Sequence, residues 1–381
     1  MAFEEDIASL NEYFFYKEFT YSNATFRPNP GQEVELADTM LWIGDKAVVY
    51  QLKERESLQT TTNNEIKWFE RKVLNKATRQ IRDTIKYLKA NPRIHLTNHR
   101  GHEVTLSPVQ LNALHNLVVY LPNKHLPQQC RRLKHHLSRE AGVIHLIPAN
   151  DYKGIVRTLL TPAEFMDYLD YRTALLERWP KEAMKHPEPV LVGHYLHGDL
   201  EEIPNPEHLA YLHALQHKAD TWDISGVIKN FADRVTTDGE RTNYYPIVSA
   251  LAELKRNELA EFKKRFMLSV KKAKANEFDV PYRMVIKGTG CGFIFIPLTR
   301  ELIPRRQIGL QNLTKAHKYE QRLSKCVGVS FAPEGDGWYS LDWCYIEHPW
   351  QPDPDFDRLL SNNNPLREVR NSIMERYRFG R

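Results

Sequence analysis

Residues 34 to 53, VELADTMLWIGDKAVVYQLK, restrict the fold more tightly than any other stretch of the chain. Two apolar runs, Val34 to Ile43 and Lys46 to Lys53, flank Gly44-Asp45, a loop short enough for a β-hairpin. Side chains alternate along a strand, so Gln51 and Lys53 share one face with Ala47 and Val49, while Asp38 shares its face with Leu36, Met40 and Trp42. A sheet this apolar must be covered on at least one side. If the two faces coincide, an acid, an amide and an ammonium group meet at the edge of a buried surface. Unpaired charge is costly there, so the cluster calls for a compensating partner.

The next strong pattern is helical. Ile66, Phe69, Val73, Ala77, Ile81, Ile85 and Leu88 recur every three or four residues through 65–89, and Thr62 with Glu65 has the spacing of a capping box. The other faces of this helix are rich in lysine and arginine. Lys72, Lys76 and Arg79 project in one direction, directly after the hairpin in sequence, where they suit a phosphate backbone that they would position without reading its bases. Upstream, Ile7, Leu10 and Phe14 set a helical stripe within residues 3–19 whose next position is Glu18.

Strand patterns follow in RIHLTNHRGHEVTLS, ALHNLVVYLP and GVIHLIPA, and TPAEFMDYLDYRTALLERW reads as a helix begun at Thr161 and Pro162. Proline and charge accumulate at 179–190, which places the expected boundary between domains 1–185 and 186–381. The second half predicts a long helix over 245–275, strands in YRMVIKGTGCGFIFIPL, a hairpin over 327–347 and a polar helical C-terminus. At 381 residues, two domains is the ordinary expectation.

Composition narrows the function classes. With 41% hydrophobic and 27% charged residues the chain has the make-up of a globular protein, and its net charge of +5 is too mild to demand a polyanionic partner. Cys130, Cys291, Cys326 and Cys344 are widely separated, as free thiols of a reducing compartment are. No apolar run is long enough to span a bilayer, and the N-terminal MAFEEDIASLNEYFF lacks a basic region ahead of an apolar one. The expectation is a cytoplasmic protein without a membrane partner.

An acid, an amide and a lysine at one strand edge fit a small hard cation. Mg²⁺ takes a few oxygen ligands and keeps several waters, so one carboxylate, one amide or main-chain oxygen and a bound phosphate make a workable site, with the lysine beside the attacked phosphate. This ordered set of residues resembles the PD-(D/E)XK restriction-endonuclease-like nuclease superfamily, and in particular its Mrr-like form, whose second motif is Gln-x-Lys. The stretches EFTYS, ELAD, QLKER and KATRQIRDT also resemble bacterial defence-type proteins. The resemblance implies an α/β fold, a restriction-endonuclease-like mixed sheet flanked by helices, followed by an α+β C-terminal domain that selects substrate or mediates assembly. It also implies a Mg²⁺- or Mn²⁺-dependent nuclease acting on nucleic acid, DNA rather than RNA, with a further copy or a defence-system protein as partner. Asp38, Gln51 and Glu18 would hold the metal, Lys53 would orient or stabilise, and Gln80 would support the site from the following helix.

Two other classes compete. A nuclease-like domain without catalysis would serve as a nucleic-acid-binding or assembly module. A metallohydrolase would use His194, His197 and Asp199 of GHYLHGDL with His208, His213 and His217, although HALQH lacks the glutamate of a zincin helix. The glycines of KGTGCGFIFIPL precede a strand pattern and not a helix, so they suit a turn or close packing better than a phosphate loop. Trp338, Tyr339, Trp343, Tyr345 and Trp350 suit a strand core better than base stacking.

Overall fold

The computed structural model describes residues 3–29, 32–55, 60–216, 221–229, 231–235, 239–335, 337–362 and 364–370. The chain forms two compact units, Met1–His217 and Lys218–Arg381. The boundary therefore falls past the expected one at 185. The prolines that suggested a linker instead begin helices, Pro180–Lys185 and α5 (Glu188–His197), where a missing N–H costs nothing.

The first unit is built on a six-stranded mixed sheet of β1 (Thr20–Asn29), β2 (Gln32–Ile43), β3 (Lys46–Lys53), β6 (Ala113–Tyr120), β8 (Gly142–Pro148) and β7 (His135–Ser138), in that spatial order. β3, β6 and β8 run parallel, and the remaining neighbours are antiparallel. A separate pair, β4 (Ile94–Thr97) and β5 (Glu103–Leu106), forms its own small hairpin. Gly44 takes the positive φ needed to close β2 onto β3, with Ile43 opposite Lys46.

One face of the sheet is covered by α2, a continuous helix over 62–90. Thr61, one residue before the expected cap, accepts the Asn64 N–H. Glu65 does not cap; it is buried and pairs with Arg55 at 2.5 Å, fastening the helix to the chain just after β3. Phe69–Lys76 is π-helical, so that the Ala77 N–H reaches back to Lys72 O. The wider turns keep Trp68, Phe69, Val73, Ala77, Ile81 and Ile85 packed against Val118, Tyr120, Ile144 and Leu146.

The opposite face is covered by α1 (Phe3–Phe15), α3 (Ala149–Leu159) and α4 (Pro162–Arg178). There Tyr50 of β3 meets Tyr152 of α3 at 3.2 Å, and Tyr152 donates to Asn11 of α1 at 2.5 Å. The α1 stripe is Phe3, Ile7, Asn11 and Phe15, and the helix ends at Tyr16, which has a φ of 67°. Glu18 thus lies in the turn after α1, not on the helix as expected.

A fully buried ionic cluster ties α4 to α5 and to the sheet. Arg172 donates to Glu188 at 2.6 Å, to Lys134 O at 3.0 Å and meets His145 at 2.9 Å, while Lys134 and Tyr168 also reach Glu188. Burial alone would push the Glu188 carboxyl up, but Arg172 and Lys134 outweigh it and hold it far below the usual range.

In the second unit, β12 (Trp338–Glu347), β11 (Lys325–Gly335), β10 (Cys291–Pro297) and β9 (Tyr282–Ile286) form a sheet in that order. The expected 245–275 helix is broken into α6 (Tyr245–Ala252) and α7 (Arg256–Lys274). Phe262 of α7 packs on Phe293 and Phe295, and α8 (Arg306–Glu320) connects β10 to its parallel neighbour β11 across the other face. Gly292 and Gly328 let α8 approach, since a Cβ would run into Leu323 and His317 or into Thr314. A last helix, α9, covers Pro354–Asn362. Among the described residues no helix is long and apolar enough to cross a membrane.

The buried cluster predicts the acid response of the first unit. The Glu188 pKa is lower folded than unfolded, so its contribution is complete above the ordinary glutamate value of 4.5 and is lost as pH falls below it. Glu188→Gln, which strands Arg172 and Lys134, is expected to cost about 3–5 kcal/mol at neutral pH and to flatten the decline below that value, as urea titrations across pH would show.

Candidate functional site

The β2–β3 ladder runs from Ile43↔Lys46 to Thr39↔Tyr50. One step further, the Asp38 side chain takes over as acceptor, receiving the Leu52 N–H on Oδ2 at 2.5 Å. The carboxylate is therefore fixed by main chain and not by a flexible partner. Gln51 and Lys53 lie across from it, both buried.

Lys53 Nζ is 3.1 Å from Asp38 Oδ2, 2.9 Å from Gln51 Oε1 and 2.9 Å from Leu52 O. Alternation has thus placed the polar side chains of both strands together, beside an apolar cluster that contains Leu36, Met40, Trp42, Ala47 and Val49 of the same two strands. Burial lowers the Lys53 pKa; Asp38 opposes the shift, Lys76 adds to it, and Glu4 opposes it more weakly. The lysine is consequently easier to deprotonate than an ordinary one.

Glu18 does not join this group. It is buried and pairs with Arg100 at 2.8 Å, and Asn98 donates to its main-chain oxygen at 3.0 Å. The neighbouring Phe19 O accepts the Trp42 N–H at 3.0 Å, which sets this turn level with the hairpin end of β2. Asp38 is four residues away along that strand, roughly 14 Å at about 3.4 Å per residue. The acid of α1 whose charge reaches Lys53 is Glu4, in the first turn of the helix. Only the acidic start of FEED could have signalled it.

The basic helix reaches the same place. Lys72, Lys76 and Arg79 are exposed, and no carboxylate pairs with them among the described residues. Arg82 and Lys86, by contrast, both pair with Glu140. Lys72 and Lys76 belong to the π-helical turns. Lys76, Gln80 and Thr84 succeed one another at four-residue spacing on one face of α2. Thr84 donates to Leu36 O, two residues before Asp38, and the Lys76 charge acts on Lys53, so Gln80 lies between these two contacts. Its Oε1 is buried without a hydrogen-bond partner among the described residues.

The oxygens around the Lys53 ammonium test whether a hard cation fits. Asp38, Gln51 and the Leu52 carbonyl are the oxygen types that Mg²⁺ or Mn²⁺ accepts, but the point on which they converge is filled by the Lys53 ammonium, so a cation shared by all three requires that Lys53 Nζ move aside. The unpartnered Gln80 oxygen adds an acceptor that a metal-bound water could satisfy.

The histidine region is arranged differently. His194 and His208 are stacked with their Nδ1 atoms 3.3 Å apart, His197 lies against the Tyr211 ring, and Asp199 accepts the Glu201 N–H. His217 and the His213 side chain lie outside the described residues. Among the described residues no three His, Cys, Asp or Glu side chains converge as a metal site.

Neither a family model, nor a curated protein, nor a solved structure matches the chain.

The orphaned oxygen gives a test of the site in the absence of nucleic acid. Gln80→Leu removes a buried acceptor without a partner and is expected to raise the unfolding free energy by about 1 kcal/mol, measured by chemical denaturation in metal-free buffer. A loss of similar size would show that this oxygen is already satisfied.

Proposed function

We propose that the first unit hydrolyses phosphodiester bonds of nucleic acid, DNA in preference to RNA, on a restriction-endonuclease-like sheet of the PD-(D/E)XK superfamily's Mrr-like form. The observation that carries this reading is the meeting of Asp38, Gln51 and Lys53 at adjacent strand ends, with Lys53 Nζ within 3.1 Å of oxygens from both side chains. Asp38, Gln51 and the Leu52 carbonyl would hold Mg²⁺ or Mn²⁺, which when bound polarises the phosphate and lowers the pKa of a water.

The chain's own residues then have distinct tasks. Lys53 places positive charge beside the scissile phosphate, where charge develops in the transition state. Burial strengthens that interaction by excluding water from it. Lys72, Lys76 and Arg79 hold the phosphate backbone along α2, and Glu4 supplies negative charge from the first turn of α1. One observation favours a second reading, a binding module without catalysis. Gln51 stands where a second carboxylate would bind metal more strongly, and its Oε1 is engaged by Lys53.

Incubation of plasmid with the protein and Mg²⁺ or Mn²⁺ separates the two. Lys53→Ala and Asp38→Asn are expected to lower the cleavage rate by about 100-fold or more while the far-ultraviolet spectrum is unchanged, and chelation is expected to abolish cleavage. Equal cleavage by the parent and both variants would exclude this site. Retention of plasmid without cleavage under any metal would establish the binding module.

The basic helix is tested by affinity. Lys72→Glu with Lys76→Glu is expected to weaken binding of duplex DNA uniformly across sequences and to reduce the dependence of log affinity on log salt by about 2. An unchanged salt slope in a fluorescence titration would remove α2 from the interface.

A further inference from the structure

The second unit contains a cavity of about 300 Å³ between the last turns of α8, the segment that follows β12 and the start of α9. Lys318, Lys315, His348, Tyr319, Trp350 and Phe356 line it. Such a volume, walled by aromatic rings with a few polar groups, suits a small molecule and not a polymer.

Lys318 is the unusual member. It is 2% exposed, and among the described residues no carboxylate pairs with it. Its Nζ lies 3.2 Å from His348 Nδ1, but that same nitrogen lies 3.0 Å from Pro349 O. A single ring nitrogen cannot both accept from the lysine and donate to the carbonyl, so one of the two contacts is always unsatisfied. Desolvation lowers the Lys318 pKa, with Cys326 opposing the shift. A buried ammonium in this state is costly to the fold and ready for an anion.

The walls are held open by their own hydrogen bonds. Trp350 Nε1 donates to Tyr319 O at 3.0 Å, and the Tyr319 hydroxyl accepts the Asp353 N–H at 2.8 Å. The Asp353 carboxylate is committed elsewhere, accepting the N–H groups of Asp355 and Phe356 at the start of α9. Asp353 also lines the cavity, and among the described residues its carboxylate forms no ion pair with Lys318. Two more cations flank the aromatic rings: Lys315 Nζ is 5.4 Å from the Phe356 centroid, and the Arg322 guanidinium is 5.2 Å from that of Trp350.

We propose that this cavity binds a small organic anion, a flat ring bearing a phosphate or carboxylate, with the ring against Trp350 and Phe356 and the anionic group at Lys318. The site would make the second unit a receptor for a small molecule, a role independent of the nuclease reading of the first.

Titration calorimetry on the full chain, with quenching of tryptophan fluorescence as a second readout, tests this with AMP, benzoate and adenosine as probes. AMP or benzoate is expected to bind saturably, and adenosine at least about tenfold more weakly than AMP, because it lacks the anion. AMP favoured over benzoate assigns a phosphate, and the reverse a carboxylate. Lys318→Met is expected to lose about tenfold or more in affinity while melting no lower than the parent without ligand, since it removes an uncompensated buried charge. Lys315→Glu, at an exposed position, is expected to weaken binding without a change in melting temperature. Absence of binding by both anions, adenosine binding as tightly as AMP, or unchanged affinity in Lys318→Met would each overturn the proposal.

Discussion

The register of β2 against β3 fixes the geometry of the candidate site. With Thr39 opposite Tyr50, the next pair along the strands faces Asp38 toward Gln51, and the Leu52 N–H finds the Asp38 carboxylate where a main-chain acceptor would otherwise stand. A slip of one residue would turn Leu36, Met40 and Trp42 away from their cluster and carry Asp38 with them. The same apolar packing that stabilises the hairpin therefore holds the acid in place. Gly44 sets the turn, the cluster sets the face, and the polar groups are carried along at the far end.

This explains why the center of the site was legible in the sequence while its surroundings were not. Strand alternation has a period of two, so the face shared by Asp38, Met40 and Trp42, and that shared by Val49, Gln51 and Lys53, follow directly from spacing. Helical stripes are less decisive at their ends. Nothing in ending α1 at Tyr16 is written in the stripe of Ile7, Leu10 and Phe14; the observed inward row is Phe3, Ile7, Asn11 and Phe15, and Glu18 falls beyond a residue of positive φ. Glu4 escaped notice because an acidic first turn is ordinary helix chemistry. The π-helical turns were hidden for a similar reason: apolar residues at three- and four-residue spacing match either helix once the extra residue is absorbed.

Long-range polar pairing was the least legible feature. Pro180, Pro187 and the charges around them looked like a linker, yet Glu188 is drawn into the first unit by Arg172 and Lys134, residues far away in sequence. No local pattern marks an arginine destined for burial, because its partners come from other elements. α8 was missed for a different reason. Its buried side is made by Leu310, Thr314, Ala316 and His317, a mixed stripe that packs only because Gly292 and Gly328 present bare backbone to it.

The electrostatic arrangement around Lys53 is more than a pairing of opposite charges. Burial disfavours the ammonium, Asp38 restores part of what burial removes, and Lys76 and Glu4 act in opposite senses from α2 and α1. A lysine so poised responds strongly to any new charge at the strand ends. Under the proposed function, a phosphate arriving along Lys72, Lys76 and Arg79 would favour its protonated form, and a divalent cation held by Asp38 would favour its neutral form. In the proposed function, substrate and metal would thus pull the same group in opposite directions, beside an Asp38 carboxylate that the Leu52 N–H fixes at 2.5 Å.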